Sequence, residues 1–115
     1  MSNHDVIRVR HMLDASQEAL SFVGDKSRPD LDANRMLTLS LVKSIEIVGE
    51  AASRVSSAFR ETHTEIPWMV IVTMRNRLIH AYFDVDLDRL WDTIIDDLPP
   101  LIRKLKMILS TEDVG

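Results

Sequence analysis

The chain has 115 residues but no cysteine, only three glycines and four prolines, and a single tyrosine, and each shortage closes off a class of protein. Without cysteine there is neither a disulfide framework nor a thiolate zinc site, and the composition suits a reducing compartment. So little glycine and proline leaves few places to break a helix, and the sequence contains no internal repeat, low-complexity tract or Gly/Ser linker. The longest apolar run, Ile66–Val72, falls far short of the roughly 20 residues that a membrane span requires. The opening "MSNHDVIRVRHML" places charge in every turn and lacks the apolar region of a signal peptide, so a soluble, cytoplasmic protein with no membrane partner is expected. A formal charge of −4 argues against a broad basic surface. Any contact with nucleic acid must therefore be focal, built on a local cluster of cations.

What is present is helical periodicity. A hydrophobic content of 45% in 115 residues is enough for one core, and the whole chain, 1–115, is expected to form a single domain with a mobile C-terminal tail from about residue 110. Val6, Val9, Leu13 and Leu20 recur at three- and four-residue steps and predict a first helix that ends near Gly24, a residue suited to a left-handed cap. "GDKSRPD" reads as a loop. Asp30 or Asp32 is placed to cap a long second helix, in which Leu37, Leu41, Ile45, Val48, Ala52, Val55 and Phe59 form one apolar stripe. Pro67 fits the first turn of a third helix, which carries the segment "VTMRNRLIHAYFDVD". Asp84 or Asp86 would cap a fourth helix through Trp91, Ile94 and Ile95, and Pro99 and Pro100 kink or restart it before a last helix with Leu101, Leu105, Ile108 and Leu109 inside. Short connections make sequential helices antiparallel neighbours, so the fold class is all-α, an antiparallel bundle of about four to five helices.

The third helix carries the chemistry. At about 100° per residue, Asn76 and His80 share a face at i, i+4, while Arg75 and His80 lie roughly 140° apart. Arg75 lines up with Tyr82 if the helix persists that far. The reach of the arginine side chain, or a second subunit, would have to close the gap between Arg75 and His80. On its own an Arg–His pair is more often solvated or structural than catalytic. Trp68 and Trp91 follow the apolar period and are better explained as core than as base-stacking platforms. The acidic "DVDLD" fails as a calcium loop, because Arg89 stands where glycine is needed and Ile95 where glutamate is needed, so capping is the ordinary explanation. His4, His11 and His63 show no ligand spacing, and neither a metal nor a cofactor is expected.

"RNRLIHAY", Arg75–Tyr82, matches the arginine, four residues, histidine, any residue, tyrosine signature of HepT toxins in the HEPN superfamily. Asn76 after the arginine, Trp68 before the motif and Trp91 after it strengthen the match. The chain resembles that family along nearly its whole length. The resemblance implies a metal-independent endoribonuclease, the toxin of a type VII-like toxin–antitoxin pair, forming a homodimer of helical bundles with the motif near the interface. It also implies a nucleotidyltransferase-fold, MntA-like antitoxin that transfers AMP from ATP onto the motif tyrosine, here Tyr82.

These residue types suit RNA cleavage. His80 is suited to accept the proton of the ribose 2′-hydroxyl or donate one to the leaving 5′-oxygen, and Arg75 can neutralise the charge built up at phosphorus. Asn76 would orient His80 or hold a phosphate oxygen, and Arg77 would be a secondary RNA contact. One histidine cannot easily serve as base and acid together, so a dimer presenting two copies of His80 is expected. A reading from a different class is a non-catalytic helical adaptor, which binds a nucleotide or a nucleotidyltransferase partner and grips phosphate without breaking it. In a third, the domain is only a substrate whose Tyr82 is adenylylated as a signal.

Overall fold

In the computed structural model, residues 3–81 and 84–114 are described, with side chains described for 4–79 and 84–111. Helix α1, Asn3–Val23, ends as its pattern predicts, with Gly24 at φ +51°, in the left-handed region where a side chain is strained. The loop expected next contains a short helix, α2, Arg28–Ala33. Its start is held by Asp30, whose carboxylate accepts the Ser27 backbone N–H at 2.7 Å. Helix α3, Arg35–Ser53, is capped by Asn34 rather than by Asp30 or Asp32, the Asn34 Oδ1 accepting the Leu37 N–H at 3.0 Å. The two aspartates are diverted to α2.

The apolar stripe expected to run unbroken to Phe59 is divided. Helix α3 stops at Ser53, and α4, Ser57–Thr62, begins anew with Ser56 accepting the Phe59 N–H at 3.2 Å. Val55 and Phe59 are still buried. The break is stabilised from a distance by Asp5, a buried carboxylate on α1 that accepts both the Ser56 N–H at 2.8 Å and the Ser56 hydroxyl at 2.7 Å. Helix α5, Trp68–Leu78, follows Pro67. Trp68 is buried, packs edge-on against Phe59 and donates its indole N–H to the His63 carbonyl at 2.9 Å, as expected of a core tryptophan. Trp91 is half-buried against the same core.

After α5 the chain forms a minimal hairpin. Strand β1, Ile79–Ala81, pairs antiparallel with β2, Asp84–Val85, through the register Ile79 to Val85 and Ala81 to Asp84. Helix α6, Leu87–Asp92, is capped by Asp86, and a single π-helical turn, Thr93–Asp97, joins it to α7, Leu98–Val114. Pro99 and Pro100 stand at the start of α7, which follows the π-helical turn directly, so the helical run restarts there as expected. The expected tail from about residue 110 continues α7 as far as Val114.

The architecture is the expected all-α bundle, with α1 packed against both α3 and α7, and α3 packed in turn against α5. Val9, Met12, Leu41, Ile45, Phe59, Ile94 and Leu105 are essentially inaccessible and form the shared core. Among the described residues, no helix is long and apolar enough to cross a membrane.

Candidate active site

The helix that carries the motif ends before the histidine does. Ile79 is extended, at φ −117° and ψ 107°, and the terminal Leu78 carbonyl accepts the Asp86 backbone N–H at 2.6 Å. Asp86 thus closes α5 with its main chain and opens α6 with its side chain, which accepts the Arg89 N–H at 3.1 Å. The expectation that His80 lies one helical turn beyond Asn76 is overturned. The helix does not persist to Tyr82, the condition on which the alignment of Arg75 with Tyr82 depended. Arg75, Asn76 and Arg77 occupy the last turn of α5, whereas the His80 backbone belongs to β1. The His80 side chain and all of Tyr82 lie outside the described residues. No glycine or proline stands between Asn76 and Phe83 to announce the break. Its physical cause is the Leu78–Asp86 hydrogen bond, a contact eight positions apart that periodicity does not register.

Arg75 is half-exposed and forms an ion pair through Nε with Glu46 Oε1 at 3.1 Å. The separation of 29 residues in sequence is bridged where α3 and α5 press together. A Cβ added at Gly49 would lie 3.3 Å from the Ile71 carbonyl, so the glycine permits that approach. Glu46 and Arg75 lie about one turn from this contact on their respective helices. Among the described residues, Nε is the only part of the Arg75 guanidinium that hydrogen-bonds, and its two Nη groups retain four donors for an anion. Sequence reasoning missed Glu46, whose only signal was its place on the polar side of the α3 stripe.

Arg75 and Glu46 sit in a groove of about 430 Å³ bordered by α1, α3 and α5, together with Arg8, His11, Lys43 and Arg54. Asn76 is exposed beside Arg75. Arg77 is directed elsewhere, into a second cavity of about 670 Å³ that it shares with Arg89, Lys104, Asp92 and Asp97 over an apolar wall including Met74 and Leu101. There the Asp97 carboxyl is raised above the ordinary carboxylate range, first by burial and then by Asp96 and Asp92, with Arg77 pulling it back down. The two arginines of the motif therefore serve opposite sides of α5, and Arg77 is not brought to the groove of Arg75.

A focal cluster of cations beside the motif arginine, on an acidic helical bundle, is what the net charge of −4 demands of a phosphate-handling site. The family model for ribonuclease HepT-like proteins matches residues 12–108. The chain belongs to the ribonuclease HepT-like family. It is 36% identical over 104 residues to a protein of Caldanaerobacter subterraneus subsp. tengcongensis named "Putative RNase TTE0752", covering 90% of this chain and 93% of that one. It is 34% identical over 95 residues to the "Probable ribonuclease HepT" of Thermococcus cleftensis, covering 79% of this chain and 86% of that one. No solved structure matches the chain. Membership makes this HepT-like protein a ribonuclease by family, and the all-α HEPN-like bundle is the fold that such membership implies.

Proposed function

We propose that this HepT-like protein is a metal-independent endoribonuclease that acts as the toxin of a toxin–antitoxin pair in the cytoplasm. The observation that carries the reading is the position of Arg75, at the end of α5 and on the edge of a cationic groove, five residues before His80. In the proposed reaction the ribose 2′-oxygen attacks the adjacent phosphorus, the P–O5′ bond breaks, and a 2′,3′-cyclic phosphate and a free 5′-hydroxyl are released. A base removes the 2′-proton and an acid supplies one to the departing 5′-oxygen. His80 takes one of these roles and His80 of a second copy takes the other, in a homodimer with both motifs at its interface. Arg75 stabilises the additional negative charge of the pentavalent transition state through its free Nη donors. Asn76, exposed on the same turn, holds a phosphate oxygen through its amide.

Silencing is proposed to act at the neighbouring tyrosine of the motif. A nucleotidyltransferase-fold antitoxin would transfer AMP from ATP to the Tyr82 hydroxyl, releasing pyrophosphate. The adduct would place a bulky, negatively charged group two residues from His80, repelling RNA by shape and by charge. The acidic net charge and the Arg75–Glu46 ion pair favour one alternative, an adaptor that holds a nucleotide or a nucleotidyltransferase partner without cleaving anything.

The test is incubation of purified protein with cellular RNA in excess chelator, comparing wild type with Arg75→Ala and His80→Ala. Cleavage lost in both variants is expected. Intact RNA with wild-type protein whose mass shows no AMP would reject the nuclease reading. A dimer-breaking variant with full activity would reject the paired histidines.

A further inference from the structure

We propose that the groove between α1 and α3 is a track for single-stranded RNA, in which Arg8 and Lys43 hold phosphates that flank the one at Arg75. The proposal rests on the nuclease reading only for the identity of the strand. Its basis is the charge arrangement. The groove contains four cations, Arg8, Lys43, Arg54 and Arg75, and two carboxylates, Glu46 and Glu50. Both carboxylates are already engaged. Glu46 pairs with Arg75 at 3.1 Å, and Glu50 pairs with Arg54 at 2.8 Å. Among the described residues, Arg8 and Lys43 make no ion pair, so the uncompensated charge of the groove is theirs. They come from different helices, and tertiary packing alone brings them together. In a chain of formal charge −4, two unneutralised cations from different helices lining one concavity select an anion that touches both.

Dimensions favour an extended strand. From Lys43 to Arg54 is 11 residues of α3 and its cap, or about 16 Å of helix axis, long enough for several phosphates of one strand. A groove of about 430 Å³ suits one strand, whereas an RNA duplex carries two backbones wound around paired bases and is broader. The half-exposed Ile47 on the floor offers apolar surface to a ribose or base edge, and His11 stands beside Arg8 on the α1 wall.

The track is tested by binding, separately from cleavage. A labelled, unstructured RNA of about 12 nucleotides, 2′-O-methylated so that it lacks the attacking hydroxyl, is titrated at several salt concentrations. The proteins compared are wild type, Arg8→Ala/Lys43→Ala and, as control, Lys106→Ala on the outer face of α7. Loss of two phosphate contacts should flatten the slope of log affinity against log salt by about 1.4 and weaken binding several-fold, with the control matching wild type. If the double variant melts early, Lys43→Gln replaces it, with a flattening of about 0.7 expected. Equal slopes for wild type and variant would overturn the track, as would a failure of wild type to bind, or equal affinity for a duplex of the same length. Cleavage of unmodified RNA is scored independently. Binding with the expected slope but without cleavage would reject the nuclease and keep the track, and cleavage with an unchanged slope would do the reverse.

Discussion

The two sides of α5 carry arginines only two residues apart, yet they face environments that suit opposite tasks. On one side Arg75 touches a single carboxylate, stays half-exposed and looks onto a groove with surplus positive charge. On the other, Arg77 lines a larger cavity with a mostly apolar wall, where Asp92 and Asp97 meet Arg89 and Lys104. With two cations in excess the first suits a polyanion better than the second, where three cations and two carboxylates nearly balance beside apolar surface. A sequence motif that lists both arginines side by side does not convey this. Two steps of about 100° turn neighbours on a helix most of the way to opposite faces, and the packing of α3 against one face and α6 against the other makes the division.

The sharpest way to break the comparison is to remove each arginine in turn. Arg75→Ala should lower RNA cleavage by about 10²–10³-fold, as expected for loss of a charge-stabilising donor at the reacting phosphate, and Arg77→Ala by less than about tenfold. Single-turnover cleavage of one defined RNA measures both, and equal losses would erase the distinction. Next in size is the contact that places Arg75. Gly49→Leu would force a side chain between α3 and the Ile71 carbonyl, already only 3.3 Å from an ideal Cβ. It should cost about 1–3 kcal/mol in denaturant unfolding and lower activity along with it. Asp5→Ala, which strips both hydrogen bonds from Ser56 at the α3–α4 break, should cost about 1.5–3 kcal/mol while leaving the Arg75–Glu46 pair intact, so cleavage by the folded fraction should persist.

Smaller effects refine the picture on each side. Glu46→Gln should remove an exposed ion pair worth less than about 1 kcal/mol and make the groove more positive, so RNA affinity should rise while the melting temperature scarcely moves. On the Arg77 side the reporter is Asp97. Its carboxyl is raised, so the folded state holds this proton more tightly than the unfolded chain does. That contribution is fully present below the ordinary carboxylate range and is lost as pH rises through the folded value. Asp97→Asn should therefore stabilise the protein at neutral pH, by less than about 1 kcal/mol at so exposed a site, with the gain vanishing near about pH 3. Arg77→Ala, by withdrawing the opposing charge, should enlarge that gain. Thermal melts at the two pH values provide the check.

Much of the bundle was legible in the chain because its helices announce themselves locally. The period of Val9 and the later apolar residues of α1, the stripe of α3 and the Gly24 cap each lie within one element, where spacing and backbone preference act directly. The fourth helix likewise took its cap from Asp86, one of two aspartates that fitted. Elsewhere local preference was outvoted. Asn34 displaced Asp30 and Asp32 as the α3 cap because those aspartates serve α2, and Asp5 divided a stripe that the period alone would have continued to Phe59.

The sequence by itself determined the helical class, the single core, the start of α5 beside Pro67, the packing of the tryptophans, and the motif that marks the HepT-like family. Those properties follow from residue type and short-range spacing. Tertiary structure alone decided that α5 stops at Leu78, that His80 sits on a strand, that Glu46 meets Arg75, and that Arg8 and Lys43 share a groove. Each depends on a hydrogen bond, an ion pair or a helix approach between residues eight or more positions apart, and only the folded chain brings such residues together.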